Sequence, residues 1–161
     1  MHRKLVLSNG SNPNRSSLFL PITCYSCMPT AFKEKWSFLK ETYYSPANFT
    51  DLCNGEKISR QVETVRCFGP CVTLVESSFV GGHYYVRGCM DRIARKGFNA
   101  VTVRQMGFEQ YDTCHKVMRS QLFRNVPYVE DQITMCTCFE DRCNSARRTL
   151  FTQVTLMIIL V

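Results

Sequence analysis

The sequence predicts a small disulfide-rich β domain, and three observations carry that expectation. Ten cysteines occur in 161 residues, an even count that allows every one to pair. All ten fall between Cys24 and Cys143, which bounds one domain at about residues 22 to 144, within the usual domain length. Inside those limits, Cys71-Val-Thr-Leu-Val-Glu76 and His83-Tyr-Tyr-Val-Arg-Gly-Cys89 read as two strands joined by a turn. Gly81 and Gly82 permit the positive φ that a hairpin tip often needs. A cysteine framework of this kind belongs in an oxidising compartment. Each bridge is worth roughly 2–4 kcal/mol, mainly by restricting the unfolded chain, and matters most where the core is small. Such scaffolds usually display loops for binding and seldom carry chemistry.

Residues 1–21 are expected to be a disordered or variant leader. Leu5-Val6-Leu7 is too short for a secretory apolar region, and Asn9 to Ser17 is polar. No export signal is evident there, although the cysteines demand export. From Pro29 to Tyr44, Phe32, Trp36, Leu39 and Tyr43 recur at helical spacing. A short amphipathic helix whose apolar face covers the core is the plain reading; a partner groove or membrane surface is the sharper one. Ser45-Pro46 breaks the helix. Asn48-Phe49-Thr50 is an N-glycosylation acceptor in a polar loop between Cys27 and Cys53, so Asn48 is expected to be exposed and glycosylated. Gln61 to Cys67 is a strand of imperfect alternation.

Ser77 to Gly82 forms the hairpin turn and places Phe79 and Val80 at its tip, where they serve either partner contact or local packing. Between Asp91 and Asp112 the pattern is weak, with Ala100-Val-Thr-Val103 resembling a piece of strand. Cys114 to Cys136 is a closed excursion with an aromatic and basic middle and a returning strand, Gln132-Ile-Thr-Met-Cys136. The last stretch, Leu150 to Val161, is apolar and uncharged, and follows Asn144-Ser145-Ala146 and Arg147-Arg148. Small residues, a polar spacer and a terminal apolar run have the layout of a GPI-attachment signal over residues 145–161, with Asn144 as attachment residue. A packed terminal element or a frayed tail are the alternatives. The run falls short of the roughly 20 residues a spanning helix needs.

Twenty Lys and Arg against thirteen Asp and Glu give a net charge of +7, spread without any long run of one sign. This favours anionic surfaces or acidic partners, but no recognition motif supports nucleic acid. Zinc ligation by Cys24, Cys27, Cys136 and Cys138, with His115 added, leaves most cysteines unused and repeats no ligand knuckle. An enzyme is not expected either. Histidine occurs only at positions 2, 83 and 115, no local motif selects a triad, and Glu140-Asp141 is simplest as loop polarity. No cofactor or metal is expected.

The ordered pattern is Cys24-x2-Cys27, Cys53, Cys67, Cys71, Arg87-Gly88-Cys89, Cys114, then Cys136-x-Cys138-x4-Cys143-Asn144. It resembles the Ly6/uPAR family, whose fold is three β-fingers leaving a disulfide knot. The resemblance covers about Ile22 to Asn144. It implies the pairs Cys24–Cys71, Cys27–Cys53, Cys67–Cys89, Cys114–Cys136 and Cys138–Cys143, and gives Asn144 the duty of closing the terminal loop against the knot. That duty competes with lipid attachment, for which Ser145 is a fallback. The family usually sets its eighth and ninth cysteines side by side; Thr137 separates them here, which a bulge is expected to absorb. The resemblance implies a first finger from Met28 to Arg66, enlarged and containing the short helix, a second centred on Glu76 to His83, and a third within His115 to Met135.

The implied function is a GPI-anchored module on the extracellular face of the cell membrane. It would bind a membrane-associated or extracellular protein and modulate a receptor, channel or adhesion partner. The long first excursion resembles the nematode olfactory-behaviour group, which implies neuronal signalling and chemosensory behaviour. A secreted three-finger ligand without lipid is the alternative.

Overall fold

A computed structural model describes residues 20–55, 57–58, 60–78, 81–126 and 131–145. The chain opens with β1 (Ile22–Tyr25) and β2 (Cys27–Met28), followed by α1 (Thr30–Glu34), α2 (Trp36–Leu39) and β3 (Asn48–Phe49). A 3-10 turn at Asp51–Cys53 precedes β4 (Thr64–Cys67), and β5 (Cys71–Ser77) and β6 (His83–Cys89) form the hairpin. Next come α3 (Met90–Ile93), α4 (Ala100–Gln105), β7 (Thr113–Met118), α5 (Arg119–Leu122) and β8 (Gln132–Cys138). β1 and β4 make a two-stranded sheet; the other strands make a six-stranded sheet in the order β3-β2-β6-β5-β8-β7. Among the described residues no helix is long and apolar enough to cross a membrane.

The period of two along each strand sorts the large sheet into two faces. One carries Met28, Val72, Leu74, Val86, Val117, Ile133 and Met135, all buried. Phe32, Tyr43, Ile93, Phe98, Val103, Phe108, Leu122 and Phe123 from the helices and connections pack onto it as one core. Across the opposite face, Cys27, Arg87, Thr73, Cys136 and Cys114 stand in one row of register partners. The hairpin register runs from Cys71↔Cys89 to Ser77↔His83. Its turn uses the two glycines at φ 94° and 80°, a region that side chains with a Cβ rarely adopt.

Several local expectations need correction. The helix expected from Pro29 to Tyr44 is two short helices, separated at Lys35, whose φ −99° and ψ 15° leave the helical region. Its apolar face does cover the core: Phe32 and Tyr43 are buried and Trp36 and Leu39 pack against the same cluster. Ala100–Val103 is helix, not strand. Asn99 caps α4 by accepting from the Val101 amide at 2.9 Å, and a cap outweighs a short β-branched run. Only Thr64–Cys67 of the expected strand from Gln61 is extended. No bulge absorbs Thr137: β8 pairs without a break through Cys136, Thr137 and Cys138. One intervening residue puts both cysteines on the same sheet face, while the Thr137 hydroxyl turns the other way and donates to the Tyr111 carbonyl at 3.1 Å.

A polar clamp crosses the core face. The Tyr43 hydroxyl donates to Glu76 Oε1, and Arg119 Nη2 meets Glu76 Oε2 at 2.7 Å. Arg119 Nε meets Asp131 at 2.8 Å, and its Nη1 donates to Tyr43 Oη at 3.2 Å. Burial holds the Tyr43 phenol well above its ordinary pKa, reinforced by the Glu76 carboxylate. The Arg119 guanidinium is driven upward by Glu76 against the opposing cost of burial. Removing one member of a buried ion pair costs about 3–5 kcal/mol because the other charge is stranded. Arg119→Met should therefore lose about 3 kcal/mol in chemical denaturation of the oxidised protein, the low end because Tyr43 still serves Glu76. Adding Glu76→Met should recover most of the loss; a single variant as stable as the parent would show that the clamp contributes nothing.

Candidate protein-binding surface

The base of the molecule is a disulfide knot. Cys24–Cys71, Cys67–Cys89 and Cys138–Cys143 pack together, while Cys27–Cys53 and Cys114–Cys136 tie the flanking excursions. These are the pairs that the resemblance implies. Two groups of knot sulfurs, Cys24/Cys67/Cys89 and Cys71/Cys138/Cys143, lie within 4.8 Å of one another. Every one of these sulfurs is committed to a disulfide, so neither group offers a thiolate to a metal. His115 Nε2 meets the Thr113 hydroxyl at 2.9 Å and its ring stacks edge-on to Phe108. His83 is exposed at the hairpin end opposite Ser77. Asp141 is a structural acceptor for the Thr23 amide at 2.6 Å.

Asn144 is 2% exposed and bound on both side-chain atoms. Its Oδ1 accepts from the Tyr25 amide at 3.0 Å, and Nδ2 donates to the carbonyls of Tyr25 at 3.0 Å and Val72 at 3.2 Å. Its own carbonyl accepts from Arg87. Arg87 is 1% exposed and also donates to Gly55 O at 2.6 Å, Thr73 Oγ1 at 3.3 Å and Cys53 O at 3.4 Å. These acceptors are all neutral oxygens, so burial pushes its pKa down to about 10. The side chain remains charged at neutral pH. Sequence reasoning noted Arg87-Gly-Cys as a motif but not this role.

Other expected site residues are placed less simply. Asn48 is not in an open loop: β3 pairs in parallel with β2 through Cys27↔Asn48, the residue is half-buried, and its Oδ1 is buried without a hydrogen-bond partner. Phe79 and Val80 lie outside the described residues, as does the apolar stretch Leu150 to Val161. Among the described residues, the most exposed aromatic side chain is one that no sequence periodicity singles out. Phe38 on α2 is 80% exposed, between exposed Lys35 and Lys40. It stands off the face formed by Phe32, Trp36 and Leu39, and periodicity selects for that buried face. A phenylalanine among lysines on the polar side was the available signal. Phe68 in the knot loop and Tyr111 before β7 are also more than half exposed. Three clefts among the described residues have volumes of about 260 to 320 Å³.

Finger-like β excursions fixed at a disulfide knot, with exposed aromatic groups, define a small binding module consistent with the three-finger class. Residues 27–145 match the family described as Caenorhabditis elegans ly-6-related protein, and the chain belongs to that Ly6/uPAR-related family. Its members are non-catalytic, disulfide-bonded modules that often act at the cell surface or outside the cell and typically engage membrane or extracellular proteins. Neither the curated proteins nor the solved structures give a match.

The Asn144 contacts generate a direct test. Asn144→Ala removes the acceptor of the buried Tyr25 amide and one donor from each of two carbonyls, at about 1–3 kcal/mol for each group left unsatisfied before relaxation. The oxidised variant should lose about 2–4 kcal/mol in urea unfolding. A loss below about 0.5 kcal/mol, the range of ordinary surface changes, would remove Asn144 from the closure of the knot.

Proposed function

We propose that this chain is a GPI-anchored cell-surface module that binds a receptor, channel or adhesion protein and modulates it. The observation that carries the reading is Phe38: a fully presented aromatic ring with lysines on either side, on an excursion whose base is tied by Cys27–Cys53. Aromatic anchors dominate binding energy at protein interfaces, and a rigid base lowers the entropy lost on docking. We read residues 28–66 as the enlarged first finger. The second-finger tip, Phe79 and Val80, is a further proposed contact on the sequence pattern alone.

The terminal small-residue, spacer and apolar layout supports lipid attachment near Asn144. The burial of Asn144 favours the next residue, Ser145, because the glycolipid has to leave the domain. Asn48 is the proposed glycan acceptor. A role in neuronal signalling and chemosensory behaviour is part of the proposal on the sequence resemblance of the long first excursion alone. A secreted ligand without lipid is the alternative, with the same binding surface.

Surface labelling of cells expressing the untagged chain, before and after phosphatidylinositol-specific phospholipase C, separates the two. The anchored reading expects labelled protein to be released by the enzyme. Protein found in the medium without enzyme would instead establish the secreted ligand. For the surface itself, saturation binding of the labelled domain to partner-bearing cells should weaken about tenfold on Phe38→Ser, as for a modest aromatic hot spot, with thermal stability unchanged. Undiminished binding by Phe38→Ser, with loss on Phe79→Ser and Val80→Ser together, would move the contact to the second finger.

A further inference from the structure

Three separate stretches of chain meet in an irregular layer over the core face. Tyr43 bridges to Ala94, the Tyr44 amide donates to Ile93 O at 3.1 Å, and the Arg95 amide donates to Thr42 O at 2.8 Å. Farther along, Phe98 bridges to Phe123, the Asn99 amide donates to Leu122 O at 2.8 Å, and the Arg124 amide donates to Gly97 O at 3.3 Å. Tyr43, Ile93, Phe98, Leu122 and Phe123 point into the core. What remains outside is strongly basic.

Arg92, Arg95, Lys96 and Arg124 are exposed on this layer, with Lys40 at its edge. Against these five cations stand two carboxylates, Glu41 and Asp91. Asp91 meets Arg92 only at 3.8 Å, with both side chains about half exposed, so it neutralises little. A groove of about 260 Å³ over Phe123 is lined by Glu41, Lys96, Arg124 and Asn125, while Arg92 lines a separate cleft beside Tyr44. The groove meets a further cleft at Gly97 and Arg124. That cleft adds Arg104 but also Asp91 and Glu109, so the positive end of the track is the first groove.

We propose that this layer binds a linear sulfated polysaccharide through Arg92, Arg95, Lys96 and Arg124. Planar guanidinium groups match the oxygens of a tetrahedral oxyanion and are the side chains suited to paired hydrogen bonds. Arg95 lies over the Tyr44 ring, 5.3 Å from its centroid, which holds its fork in place. An acidic protein surface is the competing ligand, and among the described residues the layer lacks what such an interface needs. Protein hot spots centre on apolar anchors that become fully desolvated. Tyr44 is the large apolar side chain exposed here, and Arg95 covers its face. Phe68 and Tyr111 lie on other segments, and Phe38, on α2 just before Lys40, does not line the groove. A charge-dominated, hydrated ligand that follows a groove fits these features. The proposal stands apart from the protein-binding reading and does not rest on it.

The test uses the purified oxidised chain on immobilised heparin, measured by surface plasmon resonance at several salt concentrations. Arg95→Gln with Arg124→Gln should weaken binding about 10–30-fold, at roughly 1 kcal/mol per cation facing an anionic surface. Lys33→Gln with Lys35→Gln removes the same charge from the α1 region and should change affinity less than about twofold if the site is local. All four side chains are exposed, so thermal unfolding should be unaltered in both variants. Equal losses in the two double variants would mean bulk charge and overturn the site. Undiminished binding to desulfated heparin would overturn sulfate recognition. Binding to polyglutamate but not heparin would assign the layer to an acidic protein and overturn the polysaccharide.

Discussion

A buried guanidinium set entirely against neutral oxygens is the constraint on which the base of this molecule depends. Arg87 reaches out from the middle of the large sheet to the Cys53 turn, to Gly55, to Thr73 and to the terminal loop at Asn144. It also lies 5.0 Å from the centroid of the Tyr85 ring. Taking such a charge out of water costs several kcal/mol even after relaxation. Hydrogen bonds to a charged donor are worth about 1.5–3 kcal/mol each, so four of them offset that cost only if the acceptors are already in place. The disulfides put them there. Cys27–Cys53 fixes the turn that presents two carbonyls, and Cys138–Cys143 fixes the loop that presents the third. Covalent and polar closure are therefore one device: the bridges restrict the unfolded chain, and Arg87 and Asn144 select how the restricted segments pack.

Much of this was legible because cysteine spacing is discrete. The closing run, Cys138-x4-Cys143-Asn144, carries both a bridge and the side chain that docks beside it. Strands with clean alternation, such as Cys71–Glu76, were legible for the same reason that they form: a period of two separates core from cover. Ala100–Val103 was misread because β-branched residues dominate four positions, whereas the deciding group, Asn99, acts through a cap just outside them. The Thr137 spacing departs from the family pattern by one residue, which a bulge would absorb. In a strand, spacing by two keeps both cysteines on one face, so the register needs no repair.

The clamp and the exposed surfaces were hidden for another reason. Tyr43, Glu76 and Arg119 are separated by 33 to 76 residues, and no local pattern joins them. Periodicity found Phe32, Trp36, Leu39 and Tyr43 because burial imposes a repeat; Phe38 obeys no repeat because solvent imposes none. The basic layer likewise draws its cations from three stretches that meet only through two isolated bridges. Core faces leave a signature in one segment, whereas surfaces built from several segments become visible only when the topology is known.

The two levels of cross-linking bear on how the fingers can bind. The knot fixes their bases, but a base alone leaves a hairpin free to bend along its length. The Tyr43–Glu76–Arg119–Asp131 clamp lies beyond the knot and joins the first excursion, the outer part of β5 and the ends of the β7–β8 excursion. Its side chains are mostly buried, so solvent screens them little. Both levels restrain the excursions relative to one another, the knot at their bases and the clamp farther out. Immobilising a flexible side chain costs about 0.5–1.5 kcal/mol on binding, and a loop costs more. A module that binds through its surface gains affinity most readily by having made that expenditure during folding, which is what the clamp does for the segments that carry Phe38 and the basic layer.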